Sequence, residues 1–195
     1  MADPRLPKTL VTGRLLLRPY RDHDAAGLLS LVVQNRQMLL RDFEQQSKIE
    51  SSEQALSFTR EKQGLWREGK EFCYGIWRNG APEQIGQVRV KNIDWKIPSA
   101  ELSYFIDERS QRQGFARESI GKIVEAAFES GFERIFIRVL RENQESLALA
   151  SKLGFRNEGL HRKEFRCGHG QLHDVHYLSL LREDVGLSPH ESNFL

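Results

Sequence analysis

Apolar positions along the chain recur with period two in some stretches and with helical spacing in others, and turn residues separate the two kinds. Leu10 to Tyr20 reads as a first strand, ended by Pro19. Asp22 or Asp24 can cap a helix that runs to about Gln34, with Ala25, Leu28, Leu29 and Val32 on one face. Residues 35–50 read as irregular or weakly helical. Ser51 or Ser52 caps the next helix, where Ser51-Ser52-Glu53-Gln54-Ala55 has capping-box chemistry, and Ala55, Phe58, Leu65 and Trp66 carry its apolar face to about Glu68.

Glu71 to Arg78 is a strand, Asn79-Gly80 a hairpin turn, and Gln84 to Trp95 the partner strand. Pro98-Ser99 turns the chain again into a strand from Ala100 to Asp107. The next helix, Gly114–Ser130, places Ala116, Ile120, Ile123, Val124 and Ala127 at helical spacing, with Gly131 as its C-cap. Arg134 to Leu140 is a buried strand, and the helical crossover makes it the parallel neighbour of 100–107. A short helix starts at Asn143, turns Leu147, Ala150 and Leu153 inward and closes at Gly154. Phe155–Phe165 and Gln171–Leu181 form a final hairpin around Gly168-His169-Gly170. The expected fold class is α/β: a twisted, mostly antiparallel sheet with one central parallel pair, flanked by helices. No repeat, low-complexity tract or linker divides it. Residues 10–184 are therefore expected to form a single domain, with 1–9 and 185–195 as flexible termini.

The 195 residues are 39% hydrophobic and 29% charged, a globular balance, and long enough to bury a sizeable core. A net charge of +2 gives no electrostatic reason to expect a nucleic-acid partner. Cys73 and Cys167 have neither metal nor redox spacing and favour a reducing compartment. No apolar run reaches the ~18–20 residues needed to span a bilayer. These features predict a cytoplasmic protein without a membrane partner; it is expected as a monomer or homodimer.

The stretch Gln111-Arg112-Gln113-Gly114-Phe115-Ala116 links a strand to a helix. Small residues at 114 and 116 leave backbone uncovered where the helix starts, and a helix start offers unpaired N–H groups and the positive end of its dipole. An anion can approach those amides, with Arg112 and Arg117 adding charge. The pattern is neither a P-loop nor the dinucleotide fingerprint, because the required Lys and second and third glycines are missing. It resembles the acyl-CoA loop of the GNAT superfamily of N-acetyltransferases, Gln/Arg-x-x-Gly-x-Gly/Ala, filled here by Gln111, Gly114 and Ala116. Leu10-Val11-Thr12-Gly13-Arg14-Leu15-Leu16-Leu17-Arg18-Pro19 resembles the opening of the ribosomal-protein serine/alanine acetyltransferase branch. So does Asn143-x-x-Ser146, followed by Lys152-Leu153-Gly154-Phe155 and Glu158-Gly159, and so does His173-Asp174-Val175-His176-Tyr177.

That resemblance implies a GNAT fold and acetyl transfer from acetyl-CoA to a primary amine by direct attack in a ternary complex. It implies that the loop amides of residues 111–117, including Gln113 and Phe115, hold the pyrophosphate. It also implies that backbone near Phe105 and Ile106 pairs with the pantetheine arm and that Asn143 binds the same arm. Many members carry a tyrosine four residues after the Ser146 position. Here that residue is Ala150, so Ser146 is the candidate for protonating or hydrogen-bonding the leaving thiolate. A base is also needed. An α-amine has a pKa of about 7.7–8.0, so roughly a tenth is neutral at pH 7, whereas a lysine near 10.4 is almost wholly charged. A carboxylate acting through water then suffices, and the candidates are Glu101, on the strand face with Ser103 and Phe105, and Glu164 in the final hairpin.

Cys167, His169, His173 and His176 could suggest a metal, but strand alternation sends 173 and 176 to opposite faces, so no metal site is expected. The favoured acceptor is a protein N-terminal α-amine of the ribosomal-protein type. The alternatives are a small molecule (aminosugar, polyamine or amino acid) and a catalytically silent acyl-CoA sensor.

Overall fold

A computed structural model describes residues 6–186. In chain order the elements are β1 (Leu10–Val11), β2 (Leu15–Pro19), α1 (Ala25–Gln34), α2 (Arg36–Asp42), α3 (Glu44–Ser47), α4 (Ser52–Arg67), β3 (Phe72–Arg78), β4 (Gln84–Asp94) and β5 (Ser99–Ile106). There follow α5 (Phe115–Glu129), β6 (Arg134–Leu140), α6 (Gln144–Lys152), β7 (Arg156–Arg166) and β8 (Leu172–Leu181). The strands form one sheet in the order β1-β2-β3-β4-β5-β6-β8-β7, antiparallel except for β5 beside β6.

Strand alternation divides the core between the two faces of this sheet. Leu17, Ile76, Val88, Leu102 and Ile106 pack under α5 with Ile120, Ile123 and Ala127, and Ala150 of α6 joins them. Cys73, Trp77 and Phe105 face the other way, against Leu28 and Val32 of α1, Leu39 of α2 and Ala55 of α4. Burying each large apolar side chain stabilises by about 1.5–3 kcal/mol.

Four local expectations change. The first strand is two strands: Thr12, Gly13 and Arg14 form a tight turn, and β1 folds back so that Leu10 faces Leu17. Thr12 Oγ1 accepts the Leu15 amide at 2.9 Å, which closes the turn. The flexible lead-in is pinned from residue 6, because Leu6 is buried and the Pro7 carbonyl accepts the Tyr74 hydroxyl at 2.7 Å. The remainder of the expected flexible termini, 1–5 and 187–195, lies outside the described residues. Residues 36–47 are helical (α2 and α3), held by buried Leu39 and by buried Asn35, whose side chain bonds Asp107 and the Glu108 amide. Asp24 stands at the N-cap position of α1, but its side chain makes no capping bond there and binds Arg18 and the Arg21 amide instead, while Asp22 binds Arg60. The capping box at Ser51 and Gln54 forms as the sequence indicates.

The parallel pair is short. β5 and β6 are in register only at Ser99↔Arg134, Ala100↔Ile135 and Glu101↔Phe136. Beyond Glu101, β5 stays on β4 as far as Gly86↔Ile106, while β6 follows β8 to Leu140↔Val175. Each strand keeps its antiparallel partner and the two part, leaving a fork through the sheet.

Candidate active site

The fork is the mouth of a cleft of about 880 Å³. Residues from Glu101 to Ile106 form one wall, Ile137 to Leu140 the other, the N-terminus of α5 the base, and α2 the far rim. Residues 102–106 of β5 have no β6 partner, so this strand edge faces the cleft with peptide groups that a ligand can pair.

At the base, Gly114 is the N-cap of α5 with φ +82°, a left-handed conformation that glycine adopts without the Cβ penalty, and no side chain caps the helix. The first-turn amides of Phe115, Ala116 and Arg117 therefore lack intrahelical partners and meet the cleft beside Arg112 and Arg117. The loop is braced from behind. Gln111 Nε2 donates to the Ile106 carbonyl at 3.1 Å. Arg14 donates to the Gln113 carbonyl at 2.9 Å and to Glu118 of α5. The Phe115 ring is buried under the Arg14 and Arg78 guanidiniums. Gln113 turns its side chain to the Arg109 carbonyl and does not line the cleft.

On the α5 side of β5, α6 begins at Asn143, whose Oδ1 accepts the Ser146 amide at 3.0 Å. This cap fixes the first turn and presents Ser146 to the cleft, while Ala150 lies buried in the core. Tyr104 donates its hydroxyl hydrogen to Ser146 Oγ at 3.2 Å. Burial pushes the Tyr104 phenol above its ordinary pKa.

Glu101 enters the cleft from the opposite face of β5. It is only 3% exposed, and three groups hold it: Asn92 Nδ2 at 2.6 Å, Arg138 Nε at 3.1 Å and Lys91 Nζ at 3.3 Å. An irregularity in β4 between Lys91 and Asp94 gives Asn92 a left-handed φ of 49° and aims it at Glu101. Burial lowers the Lys91 ammonium, against the pull of Glu101. For Arg138 the balance reverses: burial lowers it, and Glu101 more than restores it.

Glu164 stands apart. It is exposed on β7, accepts the Tyr177 hydroxyl at 3.0 Å and is absent from the cleft wall. A register shift between His161 and Phe165, with Lys163 at φ +54°, lets Phe165 face the cleft. Tyr177 lies opposite Arg138 in the β6–β8 ladder, so Arg138 stands between the two carboxylates. Above the cleft, the Gly168 amide of the β7–β8 turn bonds the Leu40 carbonyl of α2 at 2.9 Å, and Phe43 stacks obliquely on Phe105.

The structure thus gathers Glu101, Phe105, Ile106, Gln111, Arg112, Gly114, Phe115, Ala116, Arg117, Asn143 and Ser146 around one cleft and leaves Gln113 and Glu164 outside its lining. Sequence reasoning missed Tyr104, Lys91, Asn92 and Arg138. Alternation with Leu102 and Ile106 could have placed Tyr104 on the α5 face, whereas Arg138 meets Glu101 only through the three-position parallel register. Cys167 and His173 lie together at the hairpin end, where burial pushes the thiol up but hydrogen bonds from His173 and from the backbone at His169 and Gln171 together lower it. Among the described residues, no group of three or more His, Cys, Asp or Glu side chains could hold a metal ion, and no helix is long and apolar enough to cross a membrane.

The arrangement offers an anion cradle at α5, hydroxyl donors on one side of β5 and a carboxylate on the other. A family model described as an acetyltransferase (GNAT) domain matches residues 14–156. The uncharacterized N-acetyltransferase YoaA of Bacillus subtilis (strain 168) is 31% identical over 174 residues, covering 89% of this chain and 96% of that one. The ribosomal-protein-serine acetyltransferase of Escherichia coli (strain K12) is 25% identical over 157 residues, covering 80% and 87%. Among solved structures, the ribosomal α-N-protein acetyltransferase RimL in complex with coenzyme A superposes with a TM-score of 0.83 at 24% identity, covering 88% of this chain and 96% of that one.

Proposed function

We propose that this chain, which belongs to the GNAT acetyltransferase family and is an acetyl-CoA-dependent N-acetyltransferase, takes as its acceptor the N-terminal α-amine of a protein of the ribosomal type. The observation that carries this is the face of α6: Ser146 meets the cleft and residue 150 is a buried alanine, the arrangement expected of the ribosomal-protein branch. The similarity to the Escherichia coli ribosomal-protein-serine acetyltransferase over 80% of the chain supports it.

The residues present fit acetyl-CoA, because an uncapped 15-residue helix opens on a left-handed glycine beside two arginines, at the end of an unpaired strand edge. Bound there, acetyl-CoA supplies an acetyl group activated as a thioester. The α5 amides with Arg112 and Arg117 would hold its pyrophosphate, and the β5 edge at Phe105 and Ile106, with Asn143, its pantetheine arm. The same edge offers N–H groups to an oxyanion. Ser146 donates a hydrogen bond to the departing sulfur, whose thiol has an ordinary pKa of about 8.5. As the C–N bond forms and the C–S bond breaks, a carboxylate takes the amine proton through water. Glu101, which lines the cleft from the far face of β5, is the first candidate for this role. Glu164 remains the second candidate through Tyr177. An amine that is already about one-tenth neutral at pH 7 asks little of such a base. Residues 10–184 act as one catalytic domain of a cytoplasmic monomer or homodimer.

The test is thiol release from acetyl-CoA with peptides bearing free Ser or Ala N-termini, lysine peptides, polyamines, aminosugars and amino acids. Release confined to the N-terminal peptides is expected. Release confined to a small amine overturns the acceptor assignment. Coenzyme A binding without release from any amine favours a silent sensor.

A further inference from the structure

We propose that Tyr104 is a positioning residue for acetyl transfer: its hydroxyl donates to Ser146 Oγ and thereby leaves the serine's own hydrogen to point at the departing sulfur. The inference rests on Ser146 facing that sulfur, as proposed above, and is independent of which amine is the acceptor.

A serine hydroxyl has one hydrogen and two lone pairs. Within a helix, serine commonly spends that hydrogen on the carbonyl three or four residues back. Ser146 makes no such bond in this structure. Its amide goes to Asn143 Oδ1, and its Oγ accepts from Tyr104 at 3.2 Å. The tyrosine thus occupies one lone pair and holds the rotamer, and the free hydrogen remains for the cleft, which Ser146 and Tyr104 both line. Accepting one bond also polarises the serine O–H and strengthens the bond it donates.

The phenol is suited to this. Its ring packs against the α5-side core, and its backbone is held opposite Val88 in the β4–β5 ladder, so the hydroxyl is delivered by a rigid element. Burial raises its pKa, which keeps it a hydrogen donor across the working pH range. For the same reason it does not give up its proton to a thiolate. Its effect passes through Ser146 as a hydrogen bond, and no net charge moves onto the ring. The buried alanine at 150 means that α6 contributes no phenol of its own, and β5 supplies one from across the cleft.

The test is the thiol pKa of coenzyme A bound to the full chain, read from thiolate ultraviolet absorbance across pH, in wild type, Tyr104→Phe, Ser146→Ala and the double variant. Wild type should hold the thiol below its value in free coenzyme A. Tyr104→Phe should raise it, and the double variant should match Ser146→Ala. With any amine that is turned over, Tyr104→Phe should lower kcat about tenfold with KM for acetyl-CoA unchanged, less than the roughly 10²–10⁴-fold of a direct donor, because Tyr104 acts through Ser146. A thiol that titrates alike in wild type and Tyr104→Phe overturns the proposal. So do losses that multiply in the double variant, or a Tyr104→Phe loss larger than that of Ser146→Ala. Fluorotyrosine at 104 keeps the ring's shape and makes a stronger donor, so it should lower the bound thiol pKa further. No change there also counts against the proposal. If the thiol responds as expected but no N-terminal peptide is acetylated, the acceptor assignment fails and the role of Tyr104 stands.

Discussion

Arg138 Nε lies 3.1 Å from Glu101 Oε1, and this bond spans the fork where β5 and β6 part. Glu101 occupies the last in-register position of the parallel pair, opposite Phe136, and Arg138 follows two residues later. An ion pair thus takes over from the ladder where the cleft begins, and it fixes the Glu101 carboxylate in the cleft lining.

Glu101→Gln keeps the shape and removes the charge that Arg138 and Lys91 face. It should cost about 1–3 kcal/mol in urea unfolding, the usual penalty for unsatisfying buried polar groups. Glu164→Gln, on an exposed strand, should stay within about 0.5 kcal/mol of wild type. The base is identified separately: its variant loses roughly 10²–10⁴-fold in kcat/KM together with the acid limb of the pH profile. An unchanged urea midpoint for Glu101→Gln would show that the ion pair does not hold the fork.

Stability should fall on the acid side. Glu71 is buried, which alone would raise its pKa, but two bonds from Arg89 at 2.6 and 2.9 Å outweigh burial and hold it below the ordinary value. A depressed folded pKa means stability that is fully present above the unfolded value, about 4.3 for Glu, and lost as pH falls through the folded one. Asp24, Asp107 and Glu118 shift in the same direction, in each case through bonded partners that overcome burial. Tm should therefore be nearly level from neutral pH to about pH 5 and drop below about pH 4. Glu71→Gln should lower the plateau and flatten the drop, and parallel curves would contradict this.

Two glycines of the α5 region should respond in opposite senses to alanine. Gly114 has φ +82°, and a Cβ there would lie 3.3 Å from Arg14 Nη2, so Gly114→Ala should cost about 1–2 kcal/mol and weaken coenzyme A binding. Gly121 lies inside the helix with nothing within 4 Å of a Cβ, so Gly121→Ala should stabilise by about 0.4–1 kcal/mol and leave binding unchanged. Calorimetry of unfolding and of coenzyme A binding checks both.

The hairpin touches α2 too closely for a side chain at 168. A Cβ on Gly168 would lie 2.3 Å from Leu40 Cδ1 and 2.7 Å from the Leu40 carbonyl oxygen. Gly168→Ala should push the β7–β8 turn off α2, raise KM for the acceptor several-fold and leave KM for acetyl-CoA unchanged. Equal changes in both constants would mean that this contact does not shape the acceptor side.

Much of the site was legible because it is local. The cradle at 111–117 and the Asn143–Ser146 cap each lie within one loop-to-helix junction, where residue type and spacing nearly dictate geometry. The opening Thr12 and Arg14 gain a physical role only in three dimensions: both bond Glu118 on the first turn of α5, bracing the cradle from the sheet's edge. The position of Glu164 relative to the cleft was not legible, because it depends on the register shift between His161 and Phe165, which no local pattern signals. Helices α2 and α3 were faint because segments of seven and four residues have little helical preference of their own. The Asn35 bonds to Asp107 and Glu108 help hold them, across more than 70 residues of sequence.

By itself the sequence determined the order of the longer elements, the parallel crossover, the uncapped start of α5 and the serine of α6, because hydrophobic period, glycine conformation and capping act over a few residues. Only the tertiary structure decided where β5 and β6 part, which residues meet across the fork, and that Tyr104 serves Ser146 while Arg138, Lys91 and Asn92 serve Glu101. Those contacts depend on strand register and on a bulge, and both are set by the summed packing of distant segments.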